Sequence, residues 1–88
     1  MTSDQPRTSL LGTTALLFEA PGETTLETQR RIWALAREAA ALPGVREAAP
    51  GMNNLMLAFV EPPQRPDWIE HKLLELWNSV EPSPLAGR

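Results

Sequence analysis

The stretch that decides the fold covers residues 42–60 and reads LPGVREAAPGMNNLMLAFV. The Pro-Gly pair near its start predicts the end of a helix, because glycine adopts the left-handed conformation that terminates helices. In the apolar run at residues 55–60, both alternating sets of side chains are apolar, as in a central strand covered on part of each face. The short segment 45–49 and the turn-like residues 50–54 before this run complete a predicted β-hairpin.

Towards the N-terminus, the sequence predicts one strand and then an amphipathic helix. Residues 13–19 (TTALLFE) are rich in β-branched and large apolar side chains and are followed by the turn signal Pro21-Gly22, which favours a strand. A helix then begins at a capping box formed by Thr24 and Glu27. Its apolar side carries Ile32, Leu35, Ala36, Ala39 and Leu42.

Towards the C-terminus, a proline-rich turn precedes a second amphipathic helix, with Asp67 as the expected N-cap and Pro82 after its end. Its apolar positions share a narrow arc and are Ile69, Leu73, Leu76, Trp77 and Val80. The resulting β-α-β-β-α order predicts a two-layer α+β fold, a ferredoxin-like split βαβ unit that lacks its last strand. In that arrangement the strand at residues 13–19 forms an unpaired edge of the sheet.

The expected domain occupies residues 10–80, between a flexible N-terminal tail at 1–9 and a flexible C-terminal tail at 81–88. A length of 88 residues suits one small core, and 42% hydrophobic with 22% charged residues is ordinary for a folded domain. The apolar residues 10–20 are too few and too interrupted to span a membrane, and the N-terminus has no signal-peptide pattern. We therefore expect a cytoplasmic protein without a membrane partner.

The composition argues against catalysis and against nucleic-acid binding. The chain has no cysteine, and its formal net charge of -3 comes from scattered charges without a basic stripe. It has no glycine-rich phosphate loop and no serine near a partnered base. The single histidine, His71, falls on the exposed side of the second helix, where Glu70 and Glu75 diverge around it. We expect no catalytic residues, no metal site and no cofactor.

Six apolar residues are candidates for contact with a protein partner. Trp33 and Trp68 lie at the margins of their helices' apolar arcs and Leu74 lies off its arc, which fits either rim packing or a binding hot spot. The predicted edge strand at residues 13–19 would pair with a second copy, forming a homodimer, or with a strand from another partner. The full candidate set is Leu16, Leu17, Phe18, Trp33, Trp68 and Leu74.

Several of these segments, taken together, resemble a known family. They are LGTTALLFE at residues 11–19, RRIWAL at 30–35, LPGVRE at 42–47 with Pro50 soon after, and LMLAFVEP at 55–62. In this order and spacing, residues 10–80 are similar to the N-terminal domain of the KipI and allophanate hydrolase subunit 1 family, whose members include one subunit of bacterial 5-oxoprolinase. Family members usually continue into a cyclophilin-like domain that carries the substrate-site motifs, and that domain does not follow in this sequence.

The resemblance implies a function carried out through protein contacts. KipI-type members inhibit a sporulation histidine kinase, and other members form part of ATP-dependent enzymes that hydrolyse 5-oxoproline or allophanate. We therefore expect a non-catalytic protein-interaction domain, with a histidine kinase as one possible partner. The alternative is an accessory piece of a multi-subunit ATP-dependent 5-oxoprolinase or allophanate hydrolase, with a cyclophilin-like or hydrolase subunit as partner. The sequence leaves both open, and also whether a small molecule binds.

Overall fold

A computed structural model describes residues 6–80 as a four-stranded antiparallel sheet with two helices packed against it. The strands are β1 (Arg7–Leu10), β2 (Ala15–Glu19), β3 (Val45–Gly51) and β4 (Asn54–Phe59), and the helices are α1 (Leu26–Ala39) and α2 (Pro66–Ser79). The strand order across the sheet is β1-β2-β4-β3. The predicted α+β class is confirmed, and the last five elements follow the predicted order.

The first strand, β1, is the main difference from the sequence-based prediction. It pairs antiparallel with β2, from Arg7 opposite Glu19 to Leu10 opposite Leu16. β1 thereby occupies the place beside β2 that a ferredoxin-like unit gives to its last strand. The prediction that β2 forms an unpaired edge is wrong, and residues 7–9 belong to a strand instead of the expected tail. The other tail residues, 1–5 and 81–88, lie outside the described part of the chain.

The N-cap of helix α1 lies one residue later than predicted. Thr25 is the N-cap, and its hydroxyl oxygen accepts a hydrogen bond from the backbone N–H of Thr28 at 3.0 Å. This bond satisfies one of the free donors of the first turn, so the predicted box at Thr24 is not the cap. Four of the five residues predicted for its apolar side, Ile32, Leu35, Ala36 and Ala39, are buried in the helix, whereas Leu42 lies beyond the end of α1 and packs only partly buried against the core.

Helix α2 also begins differently from the prediction. Arg65 is the N-cap and Pro66 takes the first helical position, where a missing N–H costs nothing and the fixed backbone angle suits a helix. Asp67 lies in the first turn, where its carboxylate interacts favourably with the helix dipole. Four of the five predicted apolar positions meet the core, because α2 buries Ile69, Leu73 and Trp77 and packs Leu76 against it, whereas Val80 is the half-buried C-cap after the helix.

The core lies between the two helices and one face of the sheet. The sheet residues that enter it alternate along the central strands and are Leu16, Phe18, Leu55, Leu57 and Phe59. The ring of Phe18 packs against the ring of Trp77, with centroids 5.4 Å apart. The guanidinium of Arg31 lies 3.8 Å over the Trp77 ring and donates to its backbone carbonyl. These contacts fasten the end of α2 to α1.

Candidate protein-interaction surface

The side of the sheet opposite the core is apolar at its centre. Because strand residues alternate between faces, Leu17 and Met56 point away from the helices, and they lie directly opposite each other. Ala49 on β3 lies opposite Met56 on the other side of β4. Ala15 on β2 lies opposite Ala58 on β4, two residues along the strands from the Leu17–Met56 pair. We call these five residues the open sheet face. Met56 keeps 37% of its surface exposed, and no helix of residues 6–80 covers it.

Charged residues border the open sheet face. Arg7 and Glu19 form a directly opposed pair on β1 and β2, and both are exposed. Glu47 on β3 lies opposite Ala58 and is exposed as well. An apolar centre with a charged rim is the usual anatomy of a protein-binding surface, whereas a single exposed apolar residue is ordinary. The open sheet face therefore fits contact with another polypeptide.

A recess of about 510 Å³ lies where β4 ends and α2 begins. Its walls are mainly apolar and include Pro43, Phe59, Val60, Pro63, Trp68 and Ile69. The polar side chains of its lining are Glu61, Gln64 and Arg65, and all three are exposed. The recess lacks the converging buried polar groups that distinguish most small-molecule sites, so apolar packing is its main chemical capacity.

The structure separates the three predicted contact residues of β2. Leu16 and Phe18 have no exposed surface and belong to the core, so we remove both from the candidate surface. Leu17, between them, points the opposite way and lies on the open sheet face. Its partner Met56 was missed, although the alternation in residues 55–60 already placed it on the opposite side from Leu55 and Leu57.

None of the three predicted contact residues of the helices belongs to the open sheet face, and only one of them lines the recess. Trp68 lines the recess, is 39% exposed, and has the Lys72 ammonium 5.9 Å from its ring centroid. Trp33 on α1 is 38% exposed, and Leu74 on α2 is partly exposed. Neither belongs to the open sheet face or lines the recess. The six candidates therefore do not form one continuous site.

One side chain of α1 makes two hydrogen bonds to the turn of the β3–β4 hairpin. Gln29 donates from Nε2 to the carbonyl of Gly51 at 2.8 Å and accepts at Oε1 from the N–H of Asn53 at 3.0 Å. Asn53 adopts the left-handed conformation, with φ of 63°, and its Nδ2 donates to the carbonyl of Ala20 at 3.2 Å. We call these hydrogen bonds of Gln29 and Asn53 the hairpin clamp. Met52 lies at the tip of the hairpin and is 76% exposed.

Three titratable side chains of α2, His71, Lys72 and Glu75, form surface ion pairs. His71 is exposed, and its Nε2 lies 3.2 Å from one carboxylate oxygen of Glu75, while Lys72 Nζ lies 3.2 Å from the other. The hydrogen bond and charge of Lys72, with a smaller contribution from His71, lower the pKa of the Glu75 carboxyl. Such exposed pairs contribute little to stability. Residues 6–80 contain no group of three or more histidines or carboxylates placed to hold a metal ion.

Neither helix in residues 6–80 is long and apolar enough to cross a membrane.

Comparison with known proteins gives the family. Residues 6–88 match the family described as carboxyltransferase domain, subdomain C and D. Since this match covers nearly the whole chain, the chain belongs to that family. One curated relative is the B subunit of 5-oxoprolinase from Escherichia coli O157:H7, which is 43% identical over 56 residues. Those residues are 64% of this chain and 26% of the relative, so the match spans about a quarter of the relative's length. The predicted resemblance is confirmed.

Proposed function

We propose that this chain is a non-catalytic protein-interaction domain that works as an accessory part of a multi-subunit, ATP-dependent 5-oxoprolinase. The relative that supports this choice is named as a subunit of 5-oxoprolinase. Of the functions that the sequence leaves open, the similarity therefore favours the enzyme complex over inhibition of a histidine kinase. A kinase partner and a cytoplasmic location stay predictions.

The observation that carries the proposal is the open sheet face. Met56 and Leu17 present apolar surface at the middle of the sheet. Without a partner, this surface is in contact with solvent. Completing the burial of two such side chains stabilises a complex by about 1 kcal/mol each, since they start partly buried. The small side chains Ala15, Ala49 and Ala58 allow a second layer to approach closely, at the roughly 10 Å separation of packed sheets.

The occupant that we propose for this face is the cyclophilin-like polypeptide of the family, carried on the same or another chain. About three-quarters of the relative lies outside the match, which is ample polypeptide to cover one face of a small sheet. Exposed charged residues on both sides of this face, Arg7 and Glu19 on one side and Arg46 and Glu47 on the other, favour a partner with complementary charges.

The geometry supports a non-catalytic role. Among the described residues, the only histidine is in solvent beside Glu75, and the recess at the start of α2 is walled mainly by apolar side chains. A general acid or base must lie within hydrogen-bond reach of a substrate that a pocket holds. We therefore propose that the bond-breaking groups of the enzyme lie on other polypeptide segments.

The experiment is a binding titration by calorimetry. The purified 88-residue chain is titrated with the remainder of the related Escherichia coli 5-oxoprolinase subunit, produced without the segment that matches this chain. We expect binding, a loss of at least about 10-fold in affinity for Met56→Lys, and no change for Met52→Lys. The two variants make the same substitution, one on the open sheet face and one at the exposed hairpin tip. Absence of binding, or equal losses in the two variants, contradicts the proposal.

A further inference from the structure

We propose that the outer edge of β1 is a pairing edge through which two copies of this chain join their sheets. β1 stands at one end of the strand order, and within residues 6–80 no other strand pairs with its outer side. An edge strand presents backbone donors and acceptors that bind another strand. This surface is distinct from the open sheet face, so either proposal can fail alone.

The hydrogen-bond pattern shows which backbone groups point outward. The N–H of Leu11 donates to the carbonyl of Ala15 at 2.9 Å, which marks these residues as a hydrogen-bonded pair in the β1–β2 ladder. Such pairs alternate with non-bonded ones, so Ser9 and Arg7 also direct their backbone groups at β2. Thr8 and Leu10 therefore direct their N–H and C=O groups away from the sheet.

The outward groups are arranged symmetrically about Ser9. A second β1, antiparallel and related by a two-fold axis at Ser9, places Thr8 of one copy opposite Leu10 of the other. Each of these two pairs exchanges two backbone hydrogen bonds, so all the outward groups of both strands are satisfied. This self-complementarity is what a two-fold interface requires, so a second copy of the chain satisfies the edge without any other partner.

The side chains are compatible with the same arrangement. Arg7 falls opposite Leu11 of the other copy, so no charge meets a like charge directly and the arginine stem lies against an apolar side chain. Leu10 and Leu11 are 50% and 45% exposed in the single copy, and the second strand covers part of both. The Thr8 hydroxyl donates a hydrogen bond to a carboxylate oxygen of Glu70 on α2 at 2.9 Å. This bond holds β1 in position in the single copy, before a second copy pairs with it.

The opposite edge of the sheet, formed by β3, is poorly suited to pairing with another strand. Pro50 on β3 lies opposite Leu55, whose backbone groups bond with β2, so the backbone of Pro50 faces outward and offers no N–H. The pairing of β3 also shifts register between Val45 and Glu47, which distorts that edge. With one usable edge per copy, association stops at a dimer with an eight-stranded sheet.

β1 is only four residues long, so the dimer is expected to be weak. We expect the dimer fraction to rise over the range from about 10 µM to about 1 mM. Hydrogen exchange of the native chain tests this without any substitution. At a concentration giving about 90% dimer, the amides of Thr8 and Leu10 should exchange about 10-fold more slowly than in dilute solution. The amides of Arg7 and Ser9 are protected within each copy and should change little.

A pair of variants at one position gives the second measurement, by sedimentation equilibrium. Leu10→Pro removes one outward donor per copy and leaves the β1–β2 ladder intact, so it should abolish the dimer while retaining a cooperative thermal melt. Leu10→Val keeps the donor and should dimerise like the native chain. The proposal is overturned if the Thr8 and Leu10 amides exchange independently of concentration, whether fast or protected. It is equally overturned by a dimer that persists in Leu10→Pro.

Discussion

Two neighbouring leucines on β2 give the sharpest test of how the sheet is oriented. Leu16 is fully buried in the core, and Leu17 points to the open sheet face and is partly exposed. Leu16→Ala and Leu17→Ala remove the same atoms from adjacent positions of one strand. Any difference in their stability therefore reports on the side of the sheet each residue occupies.

The expected costs differ several-fold. Truncating a buried leucine removes its transfer free energy and leaves a cavity, at a cost of about 2–5 kcal/mol, and the packed surroundings of Leu16 suggest about 3 kcal/mol. Leu17 loses only the buried part of its side chain against a surface that solvent already reaches, at about 1 kcal/mol or less. Each kcal/mol shifts the melting temperature of a domain this small by about 4–8 °C.

Thermal melts followed by circular dichroism measure both variants. We expect Leu16→Ala to lower the Tm by about 12–24 °C and Leu17→Ala by less than about 8 °C. Urea unfolding checks that both transitions stay two-state with similar m values. Equal shifts in the two variants, or a larger shift for Leu17→Ala, would show that the sheet is turned the other way and that the open sheet face is misassigned.

Three further predictions concern the hairpin clamp, a turn and a surface ion pair. Gln29→Ala should cost about 1–3 kcal/mol in urea unfolding, since it leaves two backbone groups of the hairpin unpaired, whereas Gln64→Ala should cost less than about 0.5 kcal/mol. Gly44→Ala should cost about 1–2 kcal/mol because φ is +84° there, and an unshifted melt argues against that conformation. In an NMR titration, the lowered pKa of Glu75 should rise in Lys72→Ala and in high salt. Because folding lowers this pKa, the small contribution of the pair to the stability of the fold is present above the unfolded-state pKa and is lost as the pH falls through the folded-state pKa. If Lys72→Ala leaves the pKa of Glu75 unchanged, the Lys72–Glu75 pair does not form.

The helices and the hairpin could be predicted from the sequence because their apolar residues are periodic. In α2, Ile69, Leu73 and Trp77 recur at one face of the helix, and all three are buried as predicted. The caps were less predictable. Asp67 is a good capping residue by type, but Pro66 before it fits the first helical position even better, and local chemistry alone does not rank the two.

Strand β1 could not be predicted from its own residues, since RTSL has neither clear alternation nor an apolar majority. The available signal was in the turn after it. Gly12 adopts a φ of 69°, the left-handed conformation that short hairpin connections require, and a glycine just before a strong strand was a hint of a preceding partner strand.

The sequence also did not determine which residues of β2 face the helices. Residues 16–18 are all apolar, so the two alternating sets do not differ in polarity, and only the pairing with β1 and β4 fixes which set meets the helices. The prediction of contact residues therefore included two core side chains, Leu16 and Phe18. It omitted Met56, which the pairing places beside Leu17.

The most direct test of a partner on the open sheet face is methyl NMR of the methionines during titration with the remainder of the related Escherichia coli 5-oxoprolinase subunit, the part outside the match. The chain has three methionines, so each signal can be assigned by single substitution. If the partner covers the open sheet face, the Met56 methyl signal shifts or broadens and loses its response to a soluble paramagnetic probe, while the Met52 signal keeps both its position and its response. Binding that leaves the Met56 methyl unchanged and accessible to the probe contradicts the central claim.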